Sequence, residues 1–133
     1  VTLHDPCYSA RYRGVVDAPR TILSACTEGG LVEMERSGRE APCCGAGSWI
    51  DHGGHTRAAV DERVAEAHRA GAGMLITACP KCSLVFEEVN PACAWRRAPV
   101  EIRDLLVFLA SRLEEQDRTK SRNQSTKTRR GSP

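Results

Sequence analysis

Long apolar runs are missing from this sequence. The longest wholly apolar stretch, Leu105 to Ala110, is six residues, against the roughly 20 that a membrane-spanning helix needs. No charged and apolar leader precedes the cysteines, so neither a transmembrane helix nor a secretory context is expected. Seven cysteines in 133 residues fall below the density of a disulfide-stapled mini-protein. No G-x-G-x-x-G follows the first predicted strand, which leaves nucleotide binding with little support. Nor do the histidines show H-x-x-x-H spacing, and His52, His55 and His68 read as surface residues. Position 1 lacks Met: Val1 opens an apparent strand, and the expectation is a fragment or one domain of a longer chain. The expected compartment is a reducing cytoplasm, with any membrane attachment peripheral and through partners. There, clustered cysteines read as metal ligands or redox groups.

The length fits one domain. The formal charge of +2 hides an asymmetry, because residues 117–133 hold six Lys or Arg and a single Asp. Everything before them is net acidic. This tail has no Val, Ile, Leu or aromatic residue to offset its ordering entropy, so residues 117–133 are expected to be a disordered basic tail behind a domain over 1–116. We read the tail as solvated and expect no specific nucleic acid partner.

Strand and helix patterns alternate along the chain. Val1 to His4 reads as a strand ending at Asp5-Pro6-Cys7. Residues 19–27 carry apolar side chains at helical spacing, with Pro19 in the first turn and Gly29-Gly30 as the stop. Leu31 to Met34 reads as a second strand. Thr56 to Ala70 is an amphipathic helix, with Ala59, Val60, Val64 and Ala67 on one face and Asp61, Glu62, Arg63 and Glu66 elsewhere. Met74 to Ala78 reads as a buried parallel strand. A helix is expected over Ser83 to Val89, a short strand over Val100 to Ile102, and a last helix from an Asp104 cap to about Glu115. The fold class is therefore α/β: a small, Rossmann-like parallel sheet with helices on both faces.

In such a sheet, sites form beyond the carboxyl ends of the strands. Cys7 follows the first strand, Cys43 and Cys44 lie on the connection after the second, and Cys79 and Cys82 follow the third. Five cysteines from three segments are thus expected to converge on one edge. Thiolates suit iron–sulfur clusters and zinc. In Cys79-Pro80-Lys81-Cys82 a tight turn presents two sulfurs to one centre, and Lys81 offsets thiolate charge. Gly45 and Gly47 let the backbone beside Cys43-Cys44 approach a bulky group. Adjacent cysteines point in different directions on an extended chain, which favours a cluster over one small ion. Cys26 reads as a small core residue and Cys93 as a bystander. His4 either orients the cysteine loop or packs as an ordinary core histidine. Trp49 either covers the site or fills the core.

These residues resemble the CCG cysteine-rich domain. The likeness rests on His4-Asp5-Pro6-Cys7, Cys43-Cys44-Gly45 and Cys79-Pro80-Lys81-Cys82, spaced C-x35-C-C-G-x33-C-x-x-C. Asp17-Ala18-Pro19-Arg20, Leu31 to Glu35 and Thr77-Ala78-Cys79-Pro80 are similar too, and the likeness runs from about Val1 to Leu113. Such domains occur in the B-type and D-type subunits of heterodisulfide reductase. They also occur in iron–sulfur subunits of glycolate oxidase, anaerobic glycerol-3-phosphate dehydrogenase and lactate-utilisation enzymes. The resemblance implies a non-cubane 4Fe–4S cluster held by Cys7, Cys43, Cys44, Cys79 and Cys82. It implies a ferredoxin-like domain or a flavoprotein as partner, and a place as the last domain of an electron-transferring oxidoreductase. Relatives in which one such domain holds zinc keep a second function open: a structural zinc or assembly domain docking on a flavoprotein dehydrogenase. A third is a thiol–disulfide redox protein using Cys79 and Cys82, which leaves the other cysteines without a role.

Overall fold

The computed structural model describes residues 1–47, 53–90 and 100–130. Trp49, His52 and Cys93 lie outside the described residues. Three short strands form one parallel sheet: β1 (Thr2–His4), β2 (Met74–Thr77) and β3 (Glu101–Asp104), in the order β1-β2-β3. Leu3 pairs with Ile76, and Ile76 with Arg103. Among the described residues four α-helices accompany them: α1 (Asp17–Cys26), α2 (Gly54–Arg69), α3 (Pro80–Val89) and α4 (Leu105–Arg130).

Alternation along the strands divides the core in two, because successive side chains leave opposite faces. Leu75 joins Val60 and Val64 of α2 and Val85, Phe86 and Val89 of α3. Leu3 and Ile76 join Leu23 of α1 and Leu105 and Phe108 of α4. Helices thus cover both faces of a small parallel sheet, the α/β class expected. Among the described residues no helix is long and apolar enough to cross a membrane.

Three departures from the sequence pattern have physical causes. Leu31 to Met34 does not form a strand; a single parallel bridge joins Thr2 to Val32. Strand β1 is only three residues long before Asp5-Pro6, and Pro6 has no N–H to extend a ladder. The Thr2 hydroxyl also donates to the Val32 carbonyl at 2.8 Å. Helix α3 starts at Pro80 rather than Ser83, with proline in its first turn, where a missing N–H costs nothing. Helix α4 is capped by Asp104, whose Oδ1 accepts from the Leu106 N–H at 2.8 Å. It continues to Arg130, through the segment where disorder was expected. Its exposed turns carry ion pairs one turn apart, such as Arg118–Glu114 at 3.3 Å.

One arginine fastens the amino-terminal half. Arg20 on α1 donates to both oxygens of Asp5 (2.7 and 2.9 Å), both oxygens of Glu33 (2.6 and 3.0 Å) and the Val16 carbonyl at 2.8 Å. Asp5 is 1% exposed and also accepts from the Gly38 N–H at 2.7 Å. Arg20→Met leaves this buried carboxylate without its cation. A stability loss of about 3 kcal/mol is expected in urea denaturation; a loss under about 1 kcal/mol would show that the clamp is not structural.

Candidate metal centre

The five predicted cysteines gather near the sheet from three segments of the chain. Cys7 follows β1 and opens a π-helical turn over Tyr8–Tyr12. Cys43 and Cys44 lie on the loop between a short 3-10 turn (Gly38–Glu40) and α2. Cys79 caps α3 and Cys82 occupies its first turn. The side chains form a row. Cys43 interacts with Cys7 and Cys44, and Cys82 with Cys44 and Cys79. Cys44 Sγ and Cys82 Sγ are 3.1 Å apart. The six cysteines of the described residues are all free thiols. Cys26 stands apart, half-buried against the Leu23 and Phe108 cluster.

Burial is deepest at the middle of the row. Cys44 and Cys82 are buried at 2% and 3% exposure, Cys7 and Cys79 are intermediate, and Cys43 is exposed. The two central sulfurs differ in acidity. The Cys44 thiol is pushed far down, chiefly by the hydrogen bond from the Cys82 thiol. Burial opposes this, while His4 and the Ala46 N–H help. The Cys82 thiol is pushed up because it donates to Cys44 and is buried. Burial also raises Cys43, against a hydrogen bond from the Gly45 N–H. The two sulfurs are thus in contact inside the protein, with Cys44 the stronger acid of the pair.

His4 is fully buried and lies beside this pair. Its imidazole, Cys44 Sγ and Cys82 Sγ are all within 4.8 Å of one another. Its ring meets Phe86 edge-on, with centroids 4.8 Å apart. Behind it stands Arg63 of α2, at 0% exposure, whose Nε–H donates to His4 Nδ1 at 3.2 Å. Arg63 also pairs with buried Glu66, which Arg36 reaches from the other side. Sequence reasoning put Arg63 and Glu66 on the polar side of the helix. The signal was present: Val60, Arg63, Val64 and Ala67 follow i, i+3, i+4, i+7, so Arg63 belongs to the apolar stripe. His55 is exposed and His68 half-buried.

A family model for the CCG cysteine-rich domain matches residues 1–87, a span that holds all five clustered cysteines. The chain belongs to this family. A Chromohalobacter salexigens protein named "Probable membrane-anchored ferredoxin" is 35% identical over 117 residues, 86% of this chain and 17% of its own length. The D-type subunit of the dihydromethanophenazine:CoB–CoM heterodisulfide reductase of Methanosarcina barkeri is 33% identical over 115 residues, 85% of this chain and 27% of its own length. A Bacillus subtilis protein named "Probable iron-sulfur-binding oxidoreductase FadF" is 40% identical over 85 residues, 62% of this chain and 12% of its own length. The chain thus spans about a quarter or less of these curated relatives. No solved structure matches it.

The glycine of the CCG motif has a steric role that differs from the one expected. Gly45 has φ +84°, a left-handed conformation, and a Cβ there would meet the Thr56 Cα at 2.9 Å. Its close approach is to α2, whose Thr56 hydroxyl donates to the Gly45 carbonyl at 3.2 Å. Gly47 has open space around it and no positive φ. Gly45→Ala is therefore expected to cost about 2 kcal/mol of stability and to speed reaction of the buried Cys44 with a thiol reagent. Gly47→Ala should change stability by under about 0.5 kcal/mol. Equal effects of the two changes in denaturation and thiol-labelling assays would refute this.

Proposed function

We propose that this CCG domain is the iron–sulfur cluster-binding module of an electron-transferring, heterodisulfide-reductase-like oxidoreductase. Its cluster would be a non-cubane 4Fe–4S type held by Cys7, Cys43, Cys44, Cys79 and Cys82. The observation that carries the reading is the continuous row of five thiols assembled from three separate segments. Adjacent Cys43 and Cys44 diverge, one exposed and one buried, so they fit two irons of one cluster better than a single ion. The donor set is all soft sulfur. Two buried polar atoms at the same strand ends, His4 Nε2 and Thr77 Oγ1, have no hydrogen-bond partner, and their residues pair across β1 and β2. Both are suited to donate to sulfur. The names of the relatives point the same way.

When bound, the cluster supplies one-electron chemistry and a site for a substrate sulfur. The chain's own residues supply the rest. Cys44 is already biased toward thiolate, so less proton release is needed on binding. Phe86 and the α2–α3 core shield the two central sulfurs of the row from water. The Gly45 and Ala46 N–H groups face the Cys43 and Cys44 sulfurs. Through exposed Cys43 the centre remains open to an electron partner, which we assign to a ferredoxin-like domain or a flavoprotein. Membrane association, if the protein has it, belongs to such partners.

One observation favours a zinc reading: the compact group of His4, Cys44 and Cys82. It leaves Cys7, Cys43 and Cys79 without a role. Anaerobic reconstitution with iron and sulfide separates the two. Iron and acid-labile sulfide are expected to bind in nearly equal amounts with an EPR signal on oxidation or reduction. Cys43→Ser should alter the spectrum, whereas Cys26→Ser should leave spectrum and iron content unchanged. Stoichiometric zinc without sulfide would overturn the proposal.

A further inference from the structure

His4 lies beside the inner sulfurs, and which of its two nitrogens carries the proton decides what it can do there. A guanidinium N–H only donates. Arg63 Nε–H points at His4 Nδ1 across 3.2 Å, so Nδ1 is the acceptor and the proton is on Nε2. An imidazolium, or the other tautomer, would set an Nδ1–H against the Arg63 N–H. Arg63 cannot swing away easily. It is fully buried, and its remaining N–H groups go to Glu66, the Arg36 carbonyl at 2.7 Å and the Leu3 carbonyl at 3.5 Å. Nε2–H is in turn buried without a hydrogen-bond partner. The sulfurs of Cys44 and Cys82 lie within 4.8 Å of the imidazole.

We propose that Arg63 is a positioning residue that locks His4 as its Nε2–H tautomer, so that His4 donates to the Cys44 sulfur instead of ligating metal and thereby raises the reduction potential of the bound centre. A nitrogen that carries a proton has no lone pair for a metal. Direct ligation through Nε2 would require an imidazolate, or a proton on the nitrogen that faces Arg63. An N–H aimed at a ligand sulfur withdraws charge from it and favours the reduced, more negative state of a cluster. Thus the geometry that suggests a three-ligand zinc site is reinterpreted as two sulfur ligands and one donor. The part concerning potential rests on the iron–sulfur reading above; the tautomer does not.

Two measurements on the full chain test this. In the metal-free protein labelled with 15N at histidine, side-chain 1H–15N correlation is expected to show His4 as the neutral Nε2–H form. An Nδ1–H pattern would overturn the proposal without reference to any cluster. In the reconstituted protein, EPR-monitored redox titration is expected to give a lower potential for His4→Leu at unchanged iron and sulfide content, with His4→Gln recovering part of the shift. Arg63→Met should lower the potential as well, and the double variant should fall short of the sum of the two single shifts, because Arg63 acts through His4. Should Arg63→Met fail to fold, the tautomer and the His4 variants still decide. An unchanged potential in His4→Leu, or a histidine nitrogen found bound to iron by pulsed EPR, would refute the donor role. Absence of any iron and sulfide from the unmodified protein would instead count against the proposed function, leaving the tautomer result standing.

Discussion

Much of the structure depends on how one guanidinium is kept out of water. A fully buried arginine is tolerated only when acceptors surround it. Arg63 finds four of them on three parts of the chain: Glu66 on its own helix, the Arg36 carbonyl, and the Leu3 carbonyl and His4 ring of β1. Satisfying that one group therefore ties α2 to β1 and to the segment after the Thr2–Val32 bridge. The CCG loop runs between these fixed points, leaving the chain after residue 36 and rejoining at α2. On the other side of β1, Arg20 does the same for Asp5, Glu33 and α1. A three-stranded sheet with strands of three or four residues has little backbone pairing to organise it. The two arginines provide the long-range order that a larger sheet would supply through its ladder.

What could be read in the sequence was whatever depends on local pattern. The strand before Cys7, the apolar run before Cys79, the helix over the fifties and sixties and the Asp104 cap all follow from periodicity and turn chemistry. The clustering of the cysteines near the sheet was anticipated by placing Cys7 and Cys79 at strand ends, although the segment before Cys43 and Cys44 is not a strand. What could not be read depends on tertiary satisfaction of polar groups. Leu31 to Met34 has strand composition, yet its Val32 carbonyl accepts from the Thr2 hydroxyl instead of from a backbone N–H of a neighbouring strand. Arg63 and Glu66 looked solvated because charged residues on a helix usually are. Only the i+3 spacing from Val60 spoke against that. Gly45 and Gly47 look alike in sequence, and only the nearness of Thr56 distinguishes them.

The same physics explains why the cysteine row is chemically uneven. Equal residue types differ in acidity because their surroundings differ: Cys44 receives hydrogen bonds, Cys82 gives one, and Cys43 lies closer to water. The sequence motif specifies which side chains are present, and the fold decides which of them is the stronger acid. For Cys44 that decision is made chiefly by the Cys82 thiol, with His4 of β1 and the Ala46 N–H adding to it.

The row has an inside and an outside. Cys44 and Cys82 are buried at its middle, whereas Cys7 and Cys79 at its ends are half-buried and Cys43 is exposed. Small reagents from solution, whether metal ions, chelators or peroxides, therefore meet the three outer thiols before the inner pair. Assembly and damage both proceed inward from these outer sulfurs, and a molecule that covers them controls access to Cys44 and Cys82.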